Sequence, residues 1–309
     1  MKGVGCSTCK GIVHELVKDM SGAEEVKLVE ADSVPTEEDQ PDYAAAPIEL
    51  LWPNGMVFQV WILNTTDRPK FKDQIELVKE GVREWEKHAN VSFTFPEVWD
   101  KNSPPQVRLR FFDKKLGFLQ EKPEHNTNDG FWSYVGNTSE GIVEKDVEPN
   151  FWNPTMSLQW VDLTRYKDEF KATILHEFGH MLGFMHEHQR PDGKLEEYYD
   201  FDAVYKHYRS QRWDKNKVDD QVLNFHEYMG RSAIAGTKFD TKSIMMYDIP
   251  AKLLKDKTKA VSKNYHLSEL DIQFVARLYP KRVKRRRSFI PQEIIPDHLE
   301  FHGCIYPPL

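Results

Sequence analysis

The chain has 309 residues, with 42 Lys and Arg against 49 Asp and Glu, a formal net charge of −7, 39% hydrophobic residues and three cysteines. The acidic balance argues against a nucleic-acid partner, and no run reaches the roughly 18 apolar residues that a membrane-crossing helix needs. Three cysteines permit at most one internal disulfide, which excludes a disulfide-dense scaffold.

Residues 1–46 read as an N-terminal extension or pro-segment. The stretch from Ala23 to Asp42 is rich in Glu and Asp, is broken by Pro35 and Pro41, and has no apolar period. Its first residues, MKGVGCSTCKGIVHELVK, lack the apolar centre of a signal peptide. After the Pro53-Asn54-Gly55 turn, MVFQVWIL predicts a strand. Ile75, Val78, Val82 and Trp85 fall at helical spacing and predict a helix from Phe71 to Ala89. Val107, Leu109 and Phe111 alternate with polar residues, as in a half-buried strand, and short strands are expected in WSYVG and MSLQWV. A second strong helix is expected from about Tyr166 to Leu182, followed by mixed helix and loop from Lys194 to Lys242. Ser268-Glu269-Leu270-Asp271 is a capping-box pattern that opens a helix carrying Ile272, Val275 and Leu278, which Pro280 stops. Residues 47–280 therefore read as one domain, with no internal repeat, followed by a basic, Pro-containing tail at 281–309.

The segment His176-Glu177-Phe178-Gly179-His180-Met181-Leu182-Gly183-Phe184-Met185-His186 carries the chemistry. His176 and His180 are four apart, so a helix puts both imidazoles on one face, where one metal ion can take both. Glu177 is placed to reach a water on that metal as general base. Gly183 can take positive φ and end the helix, turning the chain back so that His186 approaches as a third nitrogen ligand. Three imidazoles with an open position make a catalytic zinc site, not a closed structural one. The other reading is an amphipathic core helix with surface histidines. It has Leu175, Phe178 and Leu182 in its favour, but it leaves three neighbouring imidazoles without a metal or protons.

This segment resembles the extended zinc signature of the metzincin metallopeptidases. Glu187, Arg190 and Asp192 continue it as H-E-x-x-R-x-D, which resembles the astacin family within that clan. Gly193-Lys194 stands where the family has a further Arg-Asp, so a local salt-bridge set is expected to be missing. Phe239-Asp240-Thr241-Lys242-Ser243-Ile244-Met245-Met246-Tyr247 is similar to the family's Met-turn. The resemblance makes Met245 the apolar floor beneath the zinc ligands. It makes Tyr247 a mobile phenol that ligates zinc and stabilises the transition state. Weaker similarities lie in LLWPNGMVFQVWI, WEKHANVSF, GFWSYVGN, MSLQWVD and SELDIQFVARLYP, so the resemblance runs from about Ala44 to Pro280.

The resemblance implies an α+β, zincin-like fold. A larger N-terminal subdomain would hold a twisted mixed sheet and the zinc-binding helix. A smaller C-terminal subdomain would hold the Met-turn and terminal helix. It also implies a zinc metalloendopeptidase with one catalytic ion, acting on an extended protein or peptide substrate laid against an edge strand. A monomer is expected. Glu187 would pair with a new N-terminus after a cut near Ala44. The alternative on the same scaffold is a latent precursor or a non-catalytic binding protein.

The family's domain has two disulfides, whereas here residues such as Val91 and Phe131 stand at the matching positions, and no cysteine lies between Cys9 and Cys304. With the N-terminus, this favours an intracellular or non-classically exported protein. Cys6 and Cys9 read as free thiols, half a metal site, a redox pair or a zinc-blocking latency thiol. The run Lys281 to Arg287 reads as a solvated tail, a nuclear address, a processing site or a phosphate patch. His188 is off the ligand spacing and is expected to be solvent-exposed.

Overall fold

A computed structural model describes residues 43–47, 50–63, 71–98, 103–112, 130–142, 154–211, 213–223, 233–235 and 237–281. The three cysteines and the Lys281–Arg287 run, apart from Lys281, lie outside the described residues.

The architecture is α+β. Its centre is a five-stranded sheet of β2 (Val57–Ile62), β3 (Ser92–Thr94), β4 (Val107–Phe112), β5 (Trp132–Ser133) and β6 (Met156–Gln159), ordered β3-β2-β4-β6-β5. The first four strands in that order are parallel, and β5 runs antiparallel along one edge. β2 has neighbours on both sides; its start alternates, with Val57 exposed and Phe58 buried, but towards its end both faces are covered, so Val60, Trp61 and Ile62 are all buried.

Helix α1 (Lys72–His88) buries Leu77, Val78, Val82 and Trp85 along one stripe, and α2 (Leu163–Met181) packs beside it. Together with β2, β4 and β6 they form the larger core. Val91 and Phe131 are both in that core, so packed apolar side chains fill the positions where the resemblance places disulfide cysteines.

The first strand described, β1 (Tyr43–Pro47), lies outside the main sheet and pairs antiparallel with β7 (Ala233–Ala235).

The stretch after α2 is a series of short pieces: α3 (Leu195–Tyr198), α4 (Phe201–Arg209), α5 (Lys215–Val218) and a wide turn at Asp219–Leu223. Asp200 and Asp214 cap the starts of α4 and α5, accepting from the amides of Ala203 and Lys217. Leu195, Tyr199, Val204, Val218, Val222, Met246, Ile249, Leu253 and Leu254 form a second, smaller core. The terminal helix α6 (Glu269–Leu278) starts at the Ser268/Asp271 capping box and packs back onto the larger core through Phe274 and Val275.

A clasp of aromatic donors closes the C-terminus of α2. The Trp52 indole donates to the Met181 carbonyl (2.7 Å), and the Tyr279 hydroxyl donates to the Leu182 carbonyl (2.9 Å). Both carbonyls fall in the last turn, where a helix has no internal partner for them. The beginning and end of the domain thus meet at the end of the helix that carries the histidines.

Candidate metal centre

Helix α2 starts on Asp162, whose side chain accepts from the Thr164 amide (3.0 Å), and departs from helical geometry at Tyr166. Its last third is buried on every side: Ile174, Leu175, His176, Glu177, Phe178, Gly179, His180 and Met181 are all inside. The helix ends in a Schellman turn. Gly183 has φ +100°, its amide donates to the His180 carbonyl (2.8 Å), and the Phe184 amide donates to the Gly179 carbonyl (3.0 Å). A Cβ at Gly183 would also come within 2.8 Å of Leu51. This turn brings His186 back to the face carrying His176 and His180.

The three imidazoles meet edge to face and face to face, with centroids 4.6 to 5.3 Å apart. Each Nδ1 faces an oxygen: His176 the Ile244 carbonyl (2.9 Å), His180 the Phe184 carbonyl (2.8 Å), His186 the Gln189 Oε1 (3.0 Å). Those oxygens only accept, so every Nδ1 carries the proton and every Nε2 presents a lone pair. The Nε2 atoms of His180 and His186 are 3.0 Å apart. The His176 Nε2 is buried and has no hydrogen-bond partner among the described residues. One ligand atom from each histidine lies within 4.8 Å of the others.

Lone pairs converging this closely need a proton or a metal between them. Protons are disfavoured: burial pushes His176 down to about 4, against the Ile244 carbonyl that pulls it up. Burial, reinforced by the neighbouring imidazoles, pushes His186 well below its ordinary value. A cation that takes three neutral imidazoles fits this donor set.

The remaining residues singled out in the sequence lie around this group. Glu177 is fully buried beside His176 on α2. Met245 is buried below the helix, and a Cβ at Gly179 would meet its Sδ at 2.5 Å. Glycine between the two helical histidines thus lets the Met-turn press against the helix, a role that only the long-range contact reveals. The half-buried Tyr247 has its ring centroid 4.6 Å from that of His186 and 6.0 Å from that of His176. Asp271 pins the turn from beneath, accepting from the Ser243 hydroxyl (2.7 Å) and the Ile244 amide (2.8 Å).

Glu187 hydrogen-bonds through its amide to the Met245 carbonyl (3.1 Å), and its carboxylate accepts from Arg190 (3.1 Å) and the Asp240 amide (2.7 Å). Burial pushes this carboxyl up to about 8, and Arg190 and the Asp240 amide work against the rise. Arg190 is fully buried and forks onto Asp192 at 2.9 and 2.6 Å while also reaching the Thr237 carbonyl (2.8 Å). Ion pairs are therefore built around Arg190 despite the Gly193-Lys194 departure. His188 corrects the sequence reading. It is fully buried, bonded to the Gln221 carbonyl (3.0 Å), because the short helical turn Glu187–Gln189 aims it inward.

The family model of Astacin, a peptidase family, matches residues 158–279. A solved structure of myroilysin is 30% identical and superposes with a TM-score of 0.60, over 77% of this chain and 100% of the other. The chain belongs to the astacin family. Tolloid-like protein 1 of Mus musculus is 25% identical over 193 residues, which are 59% of this chain and 15% of the relative. Tolloid-like protein 1 of Homo sapiens is 27% identical over 152 residues, 49% of this chain and 11% of the relative. The chain thus spans a small fraction of the length of these curated relatives. Zinc is the cofactor of this peptidase family, and His176, His180 and His186 are a group among the described residues that could hold a metal ion. No helix among them is long and apolar enough to cross a membrane.

Proposed function

We propose that this astacin-family chain is a zinc metalloendopeptidase that hydrolyses peptide bonds in proteins, with one zinc held by His176, His180 and His186. The observation that carries the reading is the convergence of three Nε2 lone pairs whose Nδ1 protons are already committed to oxygens. Zinc bound there supplies Lewis acidity, which lowers the pKa of water toward neutrality and polarises a carbonyl.

The chain's own residues do the rest. The Glu177 carboxylate accepts the proton of the attacking water and then delivers it to the nitrogen of the leaving amine, so the water is divided between the two products. The Tyr247 hydroxyl donates to the carbonyl oxygen as negative charge builds on it. Gly183 turns the chain so that His186 reaches the site, Met245 is the apolar floor, and Glu187 with Arg190 ties the His186 segment to the Met-turn. The catalytic domain is residues 47–280, flanked by 1–46 and 281–309. The substrate is an extended peptide beside the antiparallel edge strand β5, the working form is a monomer, and no nucleic acid takes part. The absence of cysteines from Lys10 to Gly303 supports work inside the cell or export by a non-classical route. Recovery of the protein mainly from culture medium would contradict that location.

The test is casein cleavage alongside metal analysis. The expected result is cleavage abolished by a chelator, restored by zinc, and lost in Glu177→Ala. A folded chain that is metal-free and inert would instead support a latent precursor or a binding protein on the same scaffold.

A further inference from the structure

His188 has no part in the three-histidine group, yet it is fully buried next to it. Its Nε2 donates to the Gln221 carbonyl at 3.0 Å, which fixes the ring at one edge. Gln221 is itself buried and lies in the wide turn Asp219–Leu223, a local geometry found disproportionately at functional sites. The neighbouring Val222 anchors that turn in the smaller core.

The Tyr247 ring lies nearly parallel to the His188 ring, with centroids 4.2 Å apart and an interplanar angle of 22°. Its contacts with His186 and His176 are tilted, at 59° and 38°. Two torsions set the direction of a phenol, and a flat partner restrains both at small entropic cost. Because Tyr247 is only half-buried, packing on all sides does not hold it. Of the three histidine rings it touches, His188 is the nearest and the most nearly parallel.

We propose that His188 is a positioning residue: its buried imidazole, tethered to the Gln221 carbonyl, is the shelf that holds the Tyr247 phenol over the three-histidine centre. In catalysis this rests on the reading of Tyr247 as hydrogen-bond donor. As a statement about where the ring sits, it does not.

The test uses His188→Leu, which removes the flat ring, and His188→Phe, which keeps the ring and loses the tether. Tyr247→Phe and the double variant His188→Leu/Tyr247→Phe complete a cycle, with the zinc content of each measured first. His188→Leu is expected to lower kcat about 10- to 100-fold, the range for a misplaced catalytic group, with KM nearly unchanged. His188→Phe, which keeps the flat face without the tether, should lose part of kcat but less than His188→Leu, and His188→Leu should cost nothing further in the Tyr247→Phe background. A crystal structure of metal-free His188→Leu should show the Tyr247 ring displaced from its place 4.6 Å from His186.

Equal losses of kcat with Tyr247 present and in the Tyr247→Phe background, or an unmoved ring in the metal-free variant, would overturn the proposal. A Tyr247→Phe enzyme with full kcat would remove the donor reading alone, and the ring position would still decide the shelf. Should His188→Leu not fold, His188→Ala carries the same comparison.

Discussion

Met245 and Met246 are adjacent in the chain and enter different cores: Met245 joins the larger one under α2, and Met246 the smaller one with Val222 and Leu253. The larger core consists of long elements, and its helix supplies His176, Glu177 and His180. The smaller core consists of short pieces held by aspartate caps, and it backs the Gln221 turn that tethers His188. The two regions therefore fix different parts of the site. The long helix carries His176 and His180, two of the three proposed ligands, and the capped lobe backs the turn that tethers His188 under Tyr247. Damage to one should be separable from damage to the other.

The largest expected effect separates chemistry from scaffold within the first region. Glu177→Gln should lower kcat by about 10²- to 10⁴-fold, the usual contribution of a general base, while zinc content stays that of the parent. Steady-state kinetics beside metal analysis reads this directly, and a full-rate variant would remove Glu177 from the mechanism.

Next, Leu253→Ala deletes a buried side chain from the smaller core and should cost about 2–5 kcal/mol of stability in denaturant unfolding. It should lower kcat through the Tyr247 side and leave zinc bound. Loss of zinc on this change would break the division between the two regions. Gly179→Ala probes the other side. Its Cβ would sit 2.5 Å from the Met245 Sδ, so overpacking should cost about 1–3 kcal/mol and weaken zinc binding more than Leu253→Ala does. The smallest effect is expected for Ser243→Ala, which removes one donor from Asp271 and the acceptor of the Met245 amide; Asp271 keeps the Ile244 and Ser268 amides, so the cost should be about 0.5–1.5 kcal/mol, with zinc still bound.

The same division explains what can be read in the sequence. The i, i+4 histidines, Gly183 and the capping box at Ser268 are local signals, written within a few residues and interpreted by helix geometry alone. The long helices are legible because their apolar stripe repeats over several turns. The shape of the 194–242 stretch is not, since its short elements show no sustained period. His188 reads as exposed in the sequence because its burial depends on Gln221, 33 residues away. Gly179 gives no signal, because the atom that needs its missing Cβ belongs to Met245. The ionic cluster on Arg190 looks depleted at Gly193-Lys194, yet Asp192 of the motif already forks onto Arg190, and the Thr237 carbonyl, 47 residues away, supplies an acceptor that a linear motif does not weigh.

The central claim is that the three Nε2 atoms are a zinc site, and metal analysis of the purified chain before and after His180→Ala tests it most directly. About one zinc per folded parent chain, with none retained by a folded His180→Ala variant, is the predicted result for a site with three protein ligands. A folded parent that takes up no zinc, or a variant that binds it as tightly as the parent, would contradict the account.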